Sequence, residues 1–242
     1  MALTPAQKYR QRVLAIQQAA AAAAADPHGP MQGSEHELML GQLHAHLRTL
    51  KGIQSVEKKI EAKRSMLADF DNYVDGVLAA DAGAQDPVLM TMLVWQLDVG
   101  HWQAALQLAD YATRHGLTLP DQYNRNLATL LMDEVAGAAI AGRLAGAEAL
   151  TTLAKVDALT QDQDAHDQAR AKLHKAIGWA AMGKTRTTDL SAEQIKDLPL
   201  DQVRLAHSHL QRAIDLHAQV GGKKDVERLE RRLKELLPAD PN

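Results

Sequence analysis

The chain has 242 residues, of which 46% are hydrophobic and 24% charged, and it has no cysteine. That length and balance allow one large or two modest domains whose core needs no disulfide or metal. The missing cysteines exclude thiol catalysis, Cys-ligated zinc, iron–sulfur clusters and disulfide scaffolds. No uninterrupted apolar run reaches the roughly 18 residues that cross a bilayer, so no membrane contact is expected. The alanine run at 19–25 ends at Asp26-Pro27 and lacks the apolar core and cleavage site of a signal peptide. The net charge of −3 is unevenly spread: residues 1–64 carry nine Lys/Arg against five acids, 65–222 twelve against twenty, and 223–242 six against five. Only the N-terminal quarter has the balance that attracts a polyanion. Aromatics make up 3%, with a single Phe, too few for a β-sandwich or a base-stacking sheet.

In chain order the sequence reads as helices. Thr4-Pro5-Ala6-Gln7 is a capping box with Pro at the first helical position, and it opens a predicted helix to about Ala25. Asp26-Pro27-His28-Gly29-Pro30 breaks it. Ser34-Glu35-His36-Glu37 reads as a second capping box. After it, Leu40, Leu43, Leu47, Leu50, Ile53, Val56, Ile60, Leu67, Phe70, Val74 and Val77 recur every three or four residues. The stripe predicts a long amphipathic helix, with a candidate break at Gly52. Continuous to Ala80 it is roughly 70 Å long at 1.5 Å per residue. Such a rod needs a partner chain, so Leu40, Leu43, Leu47, Leu50, Ile53, Val56 and Ile60 are the expected oligomer seam.

Asp86-Pro87 starts a different pattern: a helix over 88–99 closed by Gly100, then one over 102–115 closed by Gly116 with Pro120 beyond. Gly100-His101-Trp102 with Ala105, Leu106 and Ala112 has the spacing of a tetratricopeptide-like hairpin, and Val203, Ala206, Leu210, Ala213 and Ile214 repeat it. Further helices are predicted at about 126–143, 147–160, 165–182, 201–220 and 223–237. No stretch alternates with period two. The expected fold class is all-α. Long N-terminal amphipathic helices form a basic region over 1–84 for DNA binding and oligomerisation, and a helical-hairpin bundle over 85–242 serves assembly and partner docking.

The chain contains no Gly-x-x-x-x-Gly-Lys-Ser/Thr, Gly-x-Gly-x-x-Gly, Gly-x-Ser-x-Gly or His-Glu-x-x-His. His44 and His46, like His207 and His209, stand two apart on predicted helices and point to different faces. A metal nuclease needs clustered carboxylates, and the nearest patterns are Glu61-Ala62-Lys63 and Glu193-Gln194-Ile195-Lys196, both also ordinary on solvated helix faces. No catalytic residue, metal ligand or cofactor is assigned. The stronger signal is basic. His44, Arg48, Lys51, Ser55, Lys58 or Lys59, and Ala62 follow helical spacing on a face beside the Leu stripe, Lys63 and Arg64 extend the positive charge, and Lys8, Arg10 and Arg12 add charge on the first helix. A row of cations suits phosphates, which repeat charge without demanding sequence; a solvated coiled-coil face has the same composition. The mixed-sign 223–234 segment pairs Glu227 with Arg231 and Glu230 with Lys234 at i,i+4, a self-supporting surface helix or a docking helix.

At these residues the chain resembles a known family. The segments are Gln85-Asp86, Leu89-Met90-Thr91, Trp95-Gln96-Leu97-Asp98-Val99-Gly100, Ala105-Leu106 through Ala109, Tyr111-Ala112 and His115-Gly116-Leu117-Thr118-Leu119-Pro120, then Arg170-Ala171-Lys172-Leu173-His174-Lys175, His209-Leu210-Gln211-Arg212-Ala213, and Gly222-Lys223-Lys224 with Glu227-Arg228-Leu229-Glu230-Arg231. Together they resemble the gpM-type small terminase subunit of temperate, contractile-tailed phages, densely over 84–135 and 168–233 and more weakly before 84. The resemblance implies a protein of the host cytoplasm. It would recognise the cohesive-end site of phage double-stranded DNA and load that DNA onto a large ATPase/nuclease subunit for packaging into the prohead. It also implies a homo-oligomer, usually a ring. The family is also labelled an endonuclease subunit, so a nuclease subunit with a cryptic metal site stays open, as does a helical-repeat protein adaptor. The family can carry a basic C-terminal tail. Here the sequence reads Pro238-Ala239-Asp240-Pro241-Asn242, which leaves the N-terminal basic region as the main expected DNA contact.

Overall fold

The computed structural model describes residues 3–27, 29–121 and 123–236. His28 of the expected break and residues 237–242 lie outside them. The described residues are all-α, with one isolated β-bridge between Pro30 and Gln85. They form two compact units, Met1–Leu127 and Ala128–Asn242. The boundary between the units lies beyond the change of pattern at Asp86-Pro87.

The first unit holds α1 (Pro5–Ala25), α2 (Ser34–Lys51), α3 (Val56–Leu67), α4 (Asp71–Ala80), α5 (Pro87–Val99) and α6 (Trp102–Arg114). α1 begins at the Thr4–Gln7 capping box, as the sequence predicts. α5 is apolar around nearly its whole circumference and is buried on all sides, the behaviour of a central helix. Phe70 and Trp95 meet edge to face in this core, with ring centroids 6.3 Å apart. Gly100, at φ 80°, closes α5 in a left-handed turn that glycine adopts at no steric cost.

The single rod expected from 34 to 80 does not form. Gly52 ends α2, and Ser55 restarts the chain by accepting the Lys58 N–H. A further turn at 68–70 separates α3 from α4. No strong breaker stands there; the turn places fully buried Phe70 and Tyr73 in the core. The expected capping role of Ser34 is also replaced. Gly33, which has no side chain to cap with, is the N-cap residue of α2. The Gln18 side chain of α1 takes over, accepting from the His36 backbone N–H at 3.2 Å and donating to the Ser34 hydroxyl at 3.4 Å.

α1 packs against α4 along small residues. Ala15 and Ala19 are fully buried, and Gly76 lies against the Arg12 carbonyl. α3 and α2 both lean on α5.

The second unit holds most of α7 (Leu127–Ile140), then α8 (Gly146–Thr160), α9 (Asp167–Met182), α10 (Ala192–Lys196), α11 (Leu200–Leu216) and α12 (Lys223–Leu236). Its main contact is α9 on α11, made close by Gly178 against Leu210 and Ala206. α12 covers the other side through Val226 and Leu229. Helical-hairpin packing is present; the tetratricopeptide-like detail rests on spacing alone.

Candidate nucleic-acid interface

Charge singles out nine cations, and three helices carry them rather than one continuous row. Lys8, Arg10 and Arg12 are exposed on the first turns of α1, and Tyr9 between them is 72% exposed. Arg48 and Lys51 are exposed in the last turn of α2, where they also offset the negative end of that helix. Lys58 is exposed and Lys59 half-buried in the first turns of α3. The break at 52–55 therefore corrects the expected single helix bearing Arg48 through Arg64.

Lys63 and Arg64 behave differently. The Lys63 ammonium donates to Asp98 Oδ2 at 2.5 Å. Arg64 donates to Glu61 Oε2 at 2.8 Å and to the Val99 carbonyl at 3.4 Å. These two side chains fasten α3 to the end of α5. Among the described residues, Lys8, Arg10, Arg12, Arg48, Lys51, Lys58 and Lys59 have no ion pair of this kind. Lys8 lies near enough to Asp71 to lower its carboxyl, against the larger upward pull of desolvation and of Asp75. His101, just past α5, acts on the same carboxylate. The start of α1 and the end of α3 thus share one end of the unit.

The apolar stripe divides as well. Leu43 is 3% and Leu50 6% exposed, so the unit's own interior takes them up. Leu40, Leu47, Ile53 and Ile60 are half-buried. Val56 is 70% exposed, and Leu38, off the stripe, is 61% exposed.

A buried polar cluster at 11, 35, 36, 73 and 86 leaves no mark in the sequence pattern. Tyr73 Oη donates to Asp86 Oδ2 at 2.7 Å, and His36 Nδ1 lies 2.8 Å from the same phenol oxygen. The phenol has one proton, and Asp86 receives it, so His36 Nδ1 must be the donor to Tyr73. Asp86 Oδ1 also accepts the Val88 and Leu89 N–H groups at 2.8 and 3.2 Å. Burial raises the Asp86 carboxyl, lowers the His36 ring and raises the Tyr73 phenol. Beside it the Gln11 amide donates to Glu35 at 3.0 Å. Asp86 is legible in the sequence only as an N-cap; its tertiary partners leave no periodic signal.

The carboxylate patterns do not assemble. Glu61 is held by Arg64, while Glu193 is exposed and kept low by its own backbone N–H and the Ser191 hydroxyl. Among the described residues no three His, Asp or Glu side chains group as metal ligands. The paired histidines separate as expected. His44 is exposed, His46 meets Asp69 at 2.9 Å, His207 lies 3.7 Å from Glu230, and His209 Nδ1 meets His174 Nδ1 at 2.9 Å. No helix among the described residues is long and apolar enough to cross a membrane.

Residues 40–168 match the phage small terminase subunit family. The chain is similar to the terminase, endonuclease subunit, of Escherichia phage P2. The two are 38% identical over 232 residues, 96% of this chain and 86% of that protein. No solved structure matches.

Proposed function

The chain belongs to the phage small terminase subunit family, which places it in phage DNA packaging, and from that premise we propose that it recognises the ends of the phage DNA and passes the duplex to the large terminase subunit. The observation that carries this reading is the set of unpaired cations on the first unit: Lys8, Arg10 and Arg12 on α1, with Arg48, Lys51, Lys58 and Lys59 around the α2–α3 joint. They stand on a chain whose net charge is −3, so attraction to phosphate is local and directional. Work takes place in the host cytoplasm, on a homo-oligomer. Each protomer then makes only a few phosphate contacts, and repeated weak contacts add through effective concentration.

The name of the phage P2 relative includes an endonuclease subunit. Here Glu61 is engaged by Arg64 and Glu193 stands apart from other carboxylates, which favours cutting by the large partner. The test is mobility of a duplex carrying the phage's end sequence across a salt series. Arg48, Lys51, Lys58 and Lys59 changed together to Ala should weaken binding and lower the log–log salt slope by about 0.9 for each phosphate no longer neutralised. Wild-type affinity and slope in that variant would remove the α2–α3 joint as the site. Magnesium-dependent nicking by the protein alone would transfer the cutting step to this chain.

A further inference from the structure

The second unit holds a cavity of about 190 Å³ between α10 and α12. Ala192 and Ile195 form its apolar side; Lys196, Arg228, Arg231, Arg232 and Glu235 form the rest. Four cations therefore share a space with one carboxylate. That carboxylate is already engaged, since Arg232 donates to Glu235 Oε2 at 3.2 Å. Arg228 reaches outward to Asp189 at 3.5 Å, an acid that Lys184 holds more closely at 3.0 Å. Arg231 spends its Nε on the Glu227 carbonyl at 3.3 Å. Neither Arg231 nor Lys196 makes an ion pair among the described residues, and both are exposed. The Nε of Arg232 is buried and has no acceptor. A buried guanidinium N–H left without an acceptor is costly, and it adds to the surplus positive charge around this pocket.

We propose that this cavity is a phosphate-binding site that takes a backbone phosphodiester of duplex DNA. Guanidinium forks match the paired oxygens of a phosphate. Three such forks and an ammonium around one small space suit its several oxygens better than the two of a single carboxylate. The Ala192 and Ile195 side offers apolar surface to the adjoining sugar carbons. The site gives the protein a second DNA contact, on a different unit from the cations of α1, α2 and α3. It rests on the DNA-binding reading above and is separable from it.

The experiment follows the arginine Nε–H resonances of the full chain by NMR, with inorganic phosphate, a short duplex and polyglutamate as three separate probes. It is paired with duplex affinity across a salt series. The expected result is saturable movement of the Arg231 and Arg232 signals with the duplex. The Lys196→Ala, Arg231→Ala double variant should lose that movement on Arg232 and bind the duplex with a salt slope lower by about 0.9. Its thermal midpoint should be unchanged, because both side chains are exposed. The four-alanine variant of the α2–α3 joint should keep the movement. Duplex binding with equal affinity and slope in wild type and double variant overturns the pocket and leaves the first-unit site standing. A wild type that binds no duplex overturns both. Movement with inorganic phosphate but not with duplex assigns the cavity to a free phosphate and overturns the phosphodiester. Movement at lower concentrations of polyglutamate than of duplex overturns the proposal in favour of an acidic protein partner.

Discussion

Replacing Gly76 by alanine asks how closely α1 is held on α4. A Cβ at that position would sit 2.6 Å from the Arg12 carbonyl oxygen and 2.7 Å from the Ala15 methyl. One obstacle is backbone and the other has no rotamer to change, so the helices themselves must move apart. Two effects of opposite sign compete. Helix propensity favours Ala over Gly by about 0.8–1 kcal/mol; forcing an extra methyl into a packed interface costs about 1–3 kcal/mol. Because the obstacles at 2.6 and 2.7 Å cannot turn away, the clash wins, and Gly76→Ala should destabilise the protein by up to about 2 kcal/mol. Gly41 supplies the control. It is exposed on α2 with nothing within 4 Å of a built Cβ, so only propensity acts and Gly41→Ala should stabilise by about 0.5–1 kcal/mol. Urea denaturation of the two variants, compared at constant m value, reads both signs in one series. If Gly76→Ala is as stable as the parent, α1 does not lie at this distance, and Lys8 loses its fixed place near Asp71 of α4.

Stability should fall as pH drops from about 6.5 toward about 4. Burial holds His36, His174 and His209 below the usual histidine value, His174 at about 4; the unfolded chain therefore binds more protons in that window, and the stabilisation present above it is lost on acidification. Asp86, raised by burial, works in the opposite sense. Thermal midpoints across that range test it, and a flat profile would contradict the buried histidine pair. Val56→Glu, at a side chain that is 70% exposed, should lower the oligomer mass seen by native mass spectrometry without unfolding the chain; a monomeric parent, or an unchanged oligomer, would remove the α2–α3 face as the seam.

Local chemistry was legible residue by residue. The Thr4–Gln7 box, the Asp86-Pro87 start and the Gly100 closure are each decided within a few neighbours, and the sequence states them openly. The turn at 68–70 was not, because what ends α3 is the burial of Phe70 against Trp95, a partner 25 residues on in the chain. Ser34 misled for the same reason: Gln18, from another helix, accepts the His36 N–H that a local cap would take. Charge marked the basic segment and could not tell a free lysine from a fastened one. Lys59 and Lys63 look alike in a helical row, and only the position of Asp98 on α5 separates them. Likewise Leu43 and Leu50 share the periodicity of Leu47, yet the interior claims them. Resemblance was dense over 84–135 and 168–233, whereas the family match reaches back to residue 40, through the α2–α3 joint.

The hydrogen bond from Tyr73 to Asp86, with His36 behind it, bears on how such a gene can be shuffled. A recombination junction between residues 84 and 85 would look natural from the sequence, since the helical pattern changes at Asp86-Pro87. It would also bring a foreign Asp86 neighbourhood against an unmatched Tyr73 and His36, stranding polar groups inside the first unit and leaving the α5 start without its tertiary partners. A junction between Leu127 and Ala128 keeps each unit's interior with the residues that evolved beside it. Exchange of the basic helices between related proteins therefore requires that α5 and α6 travel with them, so that the heritable module is larger than the charged surface it carries.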